Sequence, residues 1–135
     1  MGWFYMNVEQ IKKETFVSAF NRLQEVIQEE TTDTRMVEYL RDAVIQRYEF
    51  TLELAWKYLR YVLLNEGLTH EEVASPKKTI KSAFANGLIT QGETWLEMLK
   101  TRNSTSHMYS HALAISLEEK IRNEYFIELQ LLSQS

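Results

Sequence analysis

Val44-Ile45-Gln46-Arg47-Tyr48-Glu49-Phe50-Thr51-Leu52-Glu53-Leu54-Ala55-Trp56-Lys57-Tyr58-Leu59-Arg60-Tyr61-Val62-Leu63-Leu64 is the run that decides the fold. It forms the second part of a helix expected from about residue 35 to residue 65, roughly 45 Å long at the standard rise. The first part carries an ordinary stripe: Val37, Leu40, Val44 and Tyr48. From Val44 onward the apolar residues occupy nearly the whole circumference. Ile45, Phe50, Leu52, Leu54, Trp56, Tyr58, Leu59, Tyr61, Val62 and Leu63 cannot all face one core. A helix apolar all round is buried on several sides. In so small a protein the second covered side is expected to be a subunit interface, most often two-fold. Glu49, Glu53, Lys57 and Arg60 interrupt this surface as a polar row at helical spacing. Two readings of that row are open. It consists of solvated ion pairs such as Glu53–Lys57, or it rims a cleft and orients the cations there.

Upstream, Phe16, Phe20, Leu23 and Ile27 recur at three- and four-residue steps, with Ala19 and Val26 beside them. This predicts a first helix over about residues 8–30. Glu29-Glu30-Thr31-Thr32-Asp33 breaks the pattern, and Asp33 or Thr34 is positioned to cap the next helix. Downstream, Asn65-Glu66-Gly67 ends the long helix, with Gly67 at the C-cap. Leu68 to Ala74 reads as a loop. Ser75-Pro76 opens a short third helix, a capping serine followed by proline at the first helical position. Ile80, Ala83 and Phe84 are expected to face inward, Lys77, Lys78 and Lys81 outward or toward a cleft, and Gly87 to stop the helix. A fourth helix begins between Thr90 and Gly92, buries Trp95, Leu96 and Leu99, and leads into Arg102. Ser110 caps the last, which runs to about Leu132 on Ile115, Ile121, Tyr125 and Leu129, with Leu117 and Phe126 nearby. The fold class is therefore all-α: an antiparallel, up-and-down bundle of four to five helices.

At 135 residues the chain is expected to form a single domain over 1–135, with residues 1–7 a possible extension. A chain of this length buries about two-thirds of its unfolded surface and needs no metal or disulfide to fold. It has no cysteine, which excludes a disulfide framework and a thiolate metal site. One proline and four glycines are too few for a turn-rich β fold. No apolar run approaches the roughly 18 residues of a membrane span, and Met1-Gly2-Trp3-Phe4-Tyr5-Met6 lacks the basic start of a signal peptide. A cytoplasmic location is the expectation. The net charge of −4 argues against a general nucleic-acid coat. It is unevenly spread. Residues 1–75 hold 8 basic and 13 acidic groups (−5), residues 76–111 hold 5 and 2 (+3), and residues 112–135 hold 2 and 4 (−2).

The basic segment surrounds Arg102-Asn103-Ser104-Thr105-Ser106-His107-Met108-Tyr109, eight residues carrying a guanidinium, an amide, three hydroxyls, an imidazole and a phenol. Arg102 offers a planar, permanently charged fork suited to phosphate. His107 exchanges a proton near neutral pH. Together they form a minimal kit for phosphodiester transfer, one group moving protons and one neutralising developing charge. If the substrate is RNA, its own 2′-hydroxyl can attack. No protein nucleophile, metal or other cofactor is then required. His107 and His111 stand at metal-ligand spacing on a helix, but the Ser110 cap falls between them and no third ligand is evident.

Spacing constrains this kit. On an unbroken helix, residues five apart point about 140° apart, at roughly 100° per residue. Arg102 and His107 therefore converge only if the helix ends between them or if two chains share one site. Ser104-Thr105-Ser106, a weak helix former, allows the first. The all-round apolar second helix suggests the second. Arg102 is also placed to satisfy the last carbonyls of its own helix.

Arg102-x4-His107-x-Tyr109 resembles the motif of the HEPN superfamily, whose HepT-like branch includes nucleotidyltransferase substrate-binding proteins. The resemblance extends through Tyr48-Glu49-Phe50-Thr51-Leu52-Glu53-Leu54-Ala55-Trp56-Lys57, Ser75-Pro76-Lys77 and Trp95-Leu96-Glu97-Met98-Leu99. It implies a homodimeric bundle with two motif copies facing a shared cleft, and a small nucleotidyltransferase, encoded nearby, as partner. In toxin members the motif is similar to a metal-independent ribonuclease site. Carried over, Arg102 would hold the scissile phosphate and His107 would act as acid or base. Asn103 would orient the site, and Tyr109 would be the hydroxyl that the transferase modifies with adenylate; Ser106, within the same stretch, and Glu49, Glu53 and Lys57, from the polar row of the second helix, are the supporting cleft candidates. An acidic residue often follows that tyrosine in the family; here Ser110 and His111 do, making the surroundings more positive. The resemblance implies a toxin–antitoxin ribonuclease acting on RNA, or a non-catalytic substrate- or nucleotide-binding subunit of a two-component nucleotidyltransferase.

Overall fold

Asn7 and Asp33 start the two longest helices in the same way. Each side chain accepts a hydrogen bond from the backbone N–H two residues on, Glu9 and Arg35, at 2.9 Å. These caps satisfy donors that have no partner inside the helix. The computed structural model describes residues 7–102 and 110–135. In it α1 spans Val8–Gln28 and α2 spans Thr34–Asn65. They lie antiparallel along each other. Asn65 at the end of α2 donates to Glu9 at the start of α1 (3.1 Å), and mid-helix Arg47 donates to the Arg22 carbonyl (2.7 Å).

Gly67 ends α2 in the left-handed region, at φ 101°. The Leu68 N–H then reaches the Leu63 carbonyl and the Gly67 N–H that of Leu64, both at 3.1 Å. This paired closure consumes two orphan carbonyls. The stretch expected as a plain loop is anchored by one 3₁₀ turn, Glu71–Val73, whose Val73 is fully buried. Ser75 caps α3 (Pro76–Ala85) by accepting from Lys78 N at 3.1 Å, and Gly87 closes it with the same glycine device. α4 spans Gly92–Arg102.

After Ser110, which accepts from Leu113 N at 3.3 Å, the chain forms α5 (His111–Lys120), a π-helical turn (Ile121–Tyr125) and α6 (Phe126–Ser133). The sequence predicts one uninterrupted helix here, and the widened turn is a departure from it. Its cause lies in the spacing of the buried residues. Leu117, Ile121, Tyr125 and Leu129 recur every four residues and all are buried. On an ideal helix each such step drifts about 40° around the axis. One widened turn absorbs the drift, so that the stripe stays on the core. Arg122 then reaches the Ile27 carbonyl at 3.0 Å, and α6 ends beside the start of α1, where Lys13 bonds the Ser135 carbonyl at 2.5 Å.

All described secondary structure is helical. The core is continuous from Phe16, Phe20 and Leu23 of α1, through Tyr48, Leu52, Leu59 and Leu63 of α2, to Trp95 and Met98 of α4 and Tyr125 and Leu129 near the C-terminus. One expected inward residue differs, and one residue of the all-round apolar run lies open on the single chain. Phe84 is 53% exposed, its ring lying over Gly92, where a Cβ would stand 3.0 Å from the ring's Cγ. Phe50, part of the all-round apolar run, is 62% exposed. Periodicity tells how residues are spaced on a helix, not whether a neighbour covers them.

Candidate functional site

The end of α4 is tied to α2 by its last residue. Arg102 Nη1 donates to Glu53 Oε2 at 3.1 Å, and its Cζ stands 6.0 Å from the centroid of the Trp56 ring. Glu53 and Trp56 are three residues apart, hence neighbours on one helix face. The guanidinium thus has a carboxylate at its edge and an indole π-face beneath it, two contacts that fix its plane. Its side chain is 23% exposed. Its Nε is buried and has no hydrogen-bond partner among the described residues, and the same holds for Arg60 Nε.

Lys57, one turn along α2, approaches the other oxygen of Glu53 at 3.6 Å. Glu53 therefore sits between two cations. Burial pulls its pKa up, but the donors and charges around it outweigh burial. The Trp56 and Arg102 N–H groups and the positive charges of Arg102 and Lys57 hold the carboxyl below its usual range. The Trp56 indole N–H acts here by proximity, since its geometry falls short of a formed hydrogen bond. Glu49 lies half-buried one turn before Glu53.

A second set of contacts fixes the turn that delivers Arg102. Tyr48 is fully buried, and its hydroxyl lies 3.0 Å from Thr101 Oγ1, which itself donates to the Met98 carbonyl at 2.5 Å. The Tyr48 ring stacks on Tyr125 (centroids 5.7 Å apart), and the Tyr125 hydroxyl donates to Glu97 Oε2 at 2.9 Å. Burial drives both phenol pKa values far up, so both hydroxyls remain protonated donors. The π turn places Tyr125 for this contact. One residue each from α2 and the π turn therefore holds the C-terminal half of α4, at Thr101 and at Glu97.

Of the residues singled out from the sequence, Arg102, Glu53 and Lys57 come together here, with Glu49 on the adjoining turn. Asn103, Ser106, His107 and Tyr109 lie outside the described residues. Sequence reasoning overlooked Trp56 as a cation partner because it counted the indole only as part of the all-round apolar run of α2. Its three-residue offset from Glu53 was the available signal. Thr101 and Tyr48 gave no such signal, because a threonine and a tyrosine far apart in the chain do not announce a contact.

A groove of about 310 Å³ opens beside this end of α4, lined in part by Glu97, Lys100, Thr101, Lys120 and Tyr125. Another groove, of about 790 Å³, lies at the α1–α2 connection, where Glu29, Glu30, Glu118 and Glu119 outnumber Arg122. Its charge disfavours an anionic ligand, so the Arg102 end is the better phosphate candidate.

The fold has known counterparts. A Thermus thermophilus protein of known crystal structure superposes with a TM-score of 0.72 at 31% identity, over 87% of this chain and 94% of that one. A Haemophilus influenzae structure, described as revealing the fold of a substrate binding domain of a nucleotidyltransferase, gives a TM-score of 0.79 at 23% identity, over 90% and 96%. The probable ribonuclease HepT of Haemophilus influenzae is 28% identical over 90 residues, which cover 65% of this chain and 61% of that relative's length. The family described as "Nucleotidyltransferase substrate binding protein like" matches residues 12–135, from α1 through the Arg102 segment to the C-terminus. By that match, and on a helical bundle of the same form, this chain belongs to the nucleotidyltransferase substrate-binding-like family.

Proposed function

We propose that the protein is the toxin half of a toxin–antitoxin pair, a metal-independent endoribonuclease held in check by a partner nucleotidyltransferase. The observation that carries the reading is the Arg102–Glu53–Trp56 arrangement. It presents an oriented guanidinium at a helix end instead of leaving it to cap its own helix. A phosphodiester entering there exchanges one anionic partner of Arg102 for another, so the site needs no rearrangement of the bundle.

In this reading Arg102 holds the scissile phosphate and Asn103 and Ser106 orient it. The ribose 2′-hydroxyl attacks phosphorus and gives up its proton, and the bond to the 5′-oxygen breaks. The leaving oxygen takes a proton, and the products are a 2′,3′-cyclic phosphate and a 5′-hydroxyl. His107 serves as base or acid in these transfers. Two subunits of a homodimer each supply one copy of the motif to a shared cleft, in the cytoplasm. The nucleotidyltransferase silences the enzyme by placing adenylate on Tyr109, which adds phosphate charge and a nucleoside bulk at the cleft.

The second reading is a non-catalytic subunit that binds a nucleotide or other substrate for the transferase. The described relatives favour it equally, since one is named for substrate binding and another for ribonuclease activity. Both readings use Arg102 as an anion receptor. One experiment separates them: RNA incubated in EDTA with wild type, Arg102→Ala and His107→Ala, alongside growth on induced expression. The ribonuclease reading predicts cleavage products with cyclic phosphate ends and growth arrest for wild type alone. Intact RNA and equal growth for all three proteins would leave the binding subunit as the function.

A further inference from the structure

Two cations converge on one carboxylate at this site. Arg102 Nη1 stands 3.1 Å from Glu53 Oε2, and Lys57 Nζ stands 3.6 Å from Glu53 Oε1. Arg102 arrives from the end of α4, and Lys57 from α2 itself, one turn after Glu53. The Trp56 indole N–H lies near the same carboxyl and has no formed bond among the described residues. A guanidinium, an ammonium and a neutral donor around a pair of anionic oxygens are the groups that recognise a phosphate.

The carboxylate among them belongs to the chain itself. Its side chain is 36% exposed and that of Lys57 47%, so the place opens to solvent. Ion pairs this exposed are weak, and an entering anion meets contacts that yield. A phosphodiester reaching Arg102 either displaces Glu53 or lies beside it. In the first case the contacts to Glu53 are lost. In the second, two negative charges stand side by side, which is unfavourable. Either way the charge of Glu53 opposes the ligand, and Lys57 is released to it.

We infer that Arg102 and Lys57 form one anion seat, which Glu53 fills while no substrate is bound, so that its carboxylate competes with the phosphodiester and limits how tightly it binds. The inference rests on the phosphate-binding reading above and adds to it a second cation and an internal competitor. The same carboxylate holds the guanidinium plane, and a glutamine keeps that acceptor while removing the competing charge.

The test uses the full chain and a short 2′-O-methyl oligouridylate, which lacks the attacking hydroxyl and stays intact. Its affinity is measured over a salt series for wild type, Glu53→Gln, Lys57→Gln, the double variant Glu53→Gln/Lys57→Gln, Arg102→Ala and Glu38→Gln. A thermal melt of each shows that the bundle is folded. Glu38 is exposed near the start of α2, roughly 22 Å from Glu53 along the helix and beyond the screening length of about 8 Å. It controls for net charge.

Glu53→Gln is expected to bind roughly fivefold more tightly than wild type, the weight of one partly exposed ion pair, and Glu38→Gln to bind as wild type does. Lys57→Gln is expected to weaken binding in either background and to lower the salt slope by about 0.7, as for one lost phosphate contact to a single strand. Equal or weaker binding by Glu53→Gln overturns the inference, and so does an equal gain in Glu38→Gln. A Lys57→Gln effect that vanishes once Glu53 is glutamine would make Lys57 a neutraliser of that carboxylate alone, and overturns the shared seat. Arg102→Ala reports on the phosphate reading separately. If it binds as wild type does, or if none of the proteins binds, that reading fails whatever Glu53 does.

Discussion

Arg102 at the end of α4 and Glu53 in the middle of α2 are 49 residues apart in sequence and 3.1 Å apart in space. The pair brings the end of α4 against the longest helix, and the carboxylate orients a guanidinium that is still reachable from solvent. An ion pair this exposed adds little stability in itself. Its weight is in orientation, and the predictions begin there.

Glu53→Gln removes the charge and keeps the shape. The folded-state pKa of Glu53 is depressed from the usual value of 4.5, so its stabilising contribution is present above that value and fades as pH falls through the lower one. At neutral pH the variant should lose less than about 1 kcal/mol, the range for a partly exposed pair. Below pH 4.5 the gap between variant and wild type should narrow. Urea titrations at neutral and acid pH check this, and a gap that widens on acidification contradicts it.

Three of the seven tyrosines should resist ionisation: Tyr48, Tyr58 and Tyr125. Each phenol pKa is raised above 10.0, chiefly by burial. A raised folded-state pKa means stability that is complete below the unfolded value and is lost as pH rises above it. Absorbance at the phenolate band should therefore show these three ionising only as the bundle unfolds at high pH. Tyr48→Phe should remove one of the late group. It should cost about 0.5–1.5 kcal/mol through the lost Thr101 contact.

Glu118 accepts from Arg41 and from Arg122, each at 3.1 Å, and is 15% exposed. Arg122 also donates to the Ile27 carbonyl, so this carboxylate joins α2, the C-terminal helices and the end of α1. Glu118→Ala should cost about 1–3 kcal/mol, because it strands two guanidinium groups, one of them largely buried. Thermal unfolding measures the loss, and a change under about half a kcal/mol would rule out a structural role for the trio.

Gly67→Ala and Gly92→Ala separate two kinds of cost. Gly67 has φ 101° and nothing within 4 Å of an added Cβ, so the penalty is backbone strain alone, about 1 kcal/mol or more. Gly92 meets only the Phe84 ring, at 3.0 Å, and that ring is half exposed, with solvent on one side into which it can shift by a few tenths of an ångström. The first variant should be clearly less stable than wild type and the second within about 0.5 kcal/mol of it. The reverse order in denaturant midpoints would contradict the assignment.

The helix ends were legible in the sequence because single residues specify them. Asp33, Ser75 and Ser110 cap as their side chains allow, and Gly67 and Gly87 close helices as only glycine does without strain. The π turn was not legible, since a four-residue step is ordinary on a helix taken singly and the drift shows only when Leu117, Ile121, Tyr125 and Leu129 are all known to be buried. Exposure of Phe84 was not legible either, because covering depends on neighbours distant in the chain. At the site, Glu53 and Lys57 could be grouped from their spacing on α2, whereas the placement of Arg102 on Trp56 required the α4–α2 packing. Asn103, Ser106, His107 and Tyr109 lie outside the described residues, so their roles rest on the motif.

The five-residue turn at Ile121–Tyr125 also bears on descent within the family. A relative whose last helix is regular throughout would carry one residue fewer between Lys120 and Phe126 and still present the same face to the bundle. Insertions and deletions are commonly sought in connecting segments. For this lineage the place to look is the middle of a helix, and a gap forced into the Ser110 region instead would shift every residue of α5 onto the wrong counterpart.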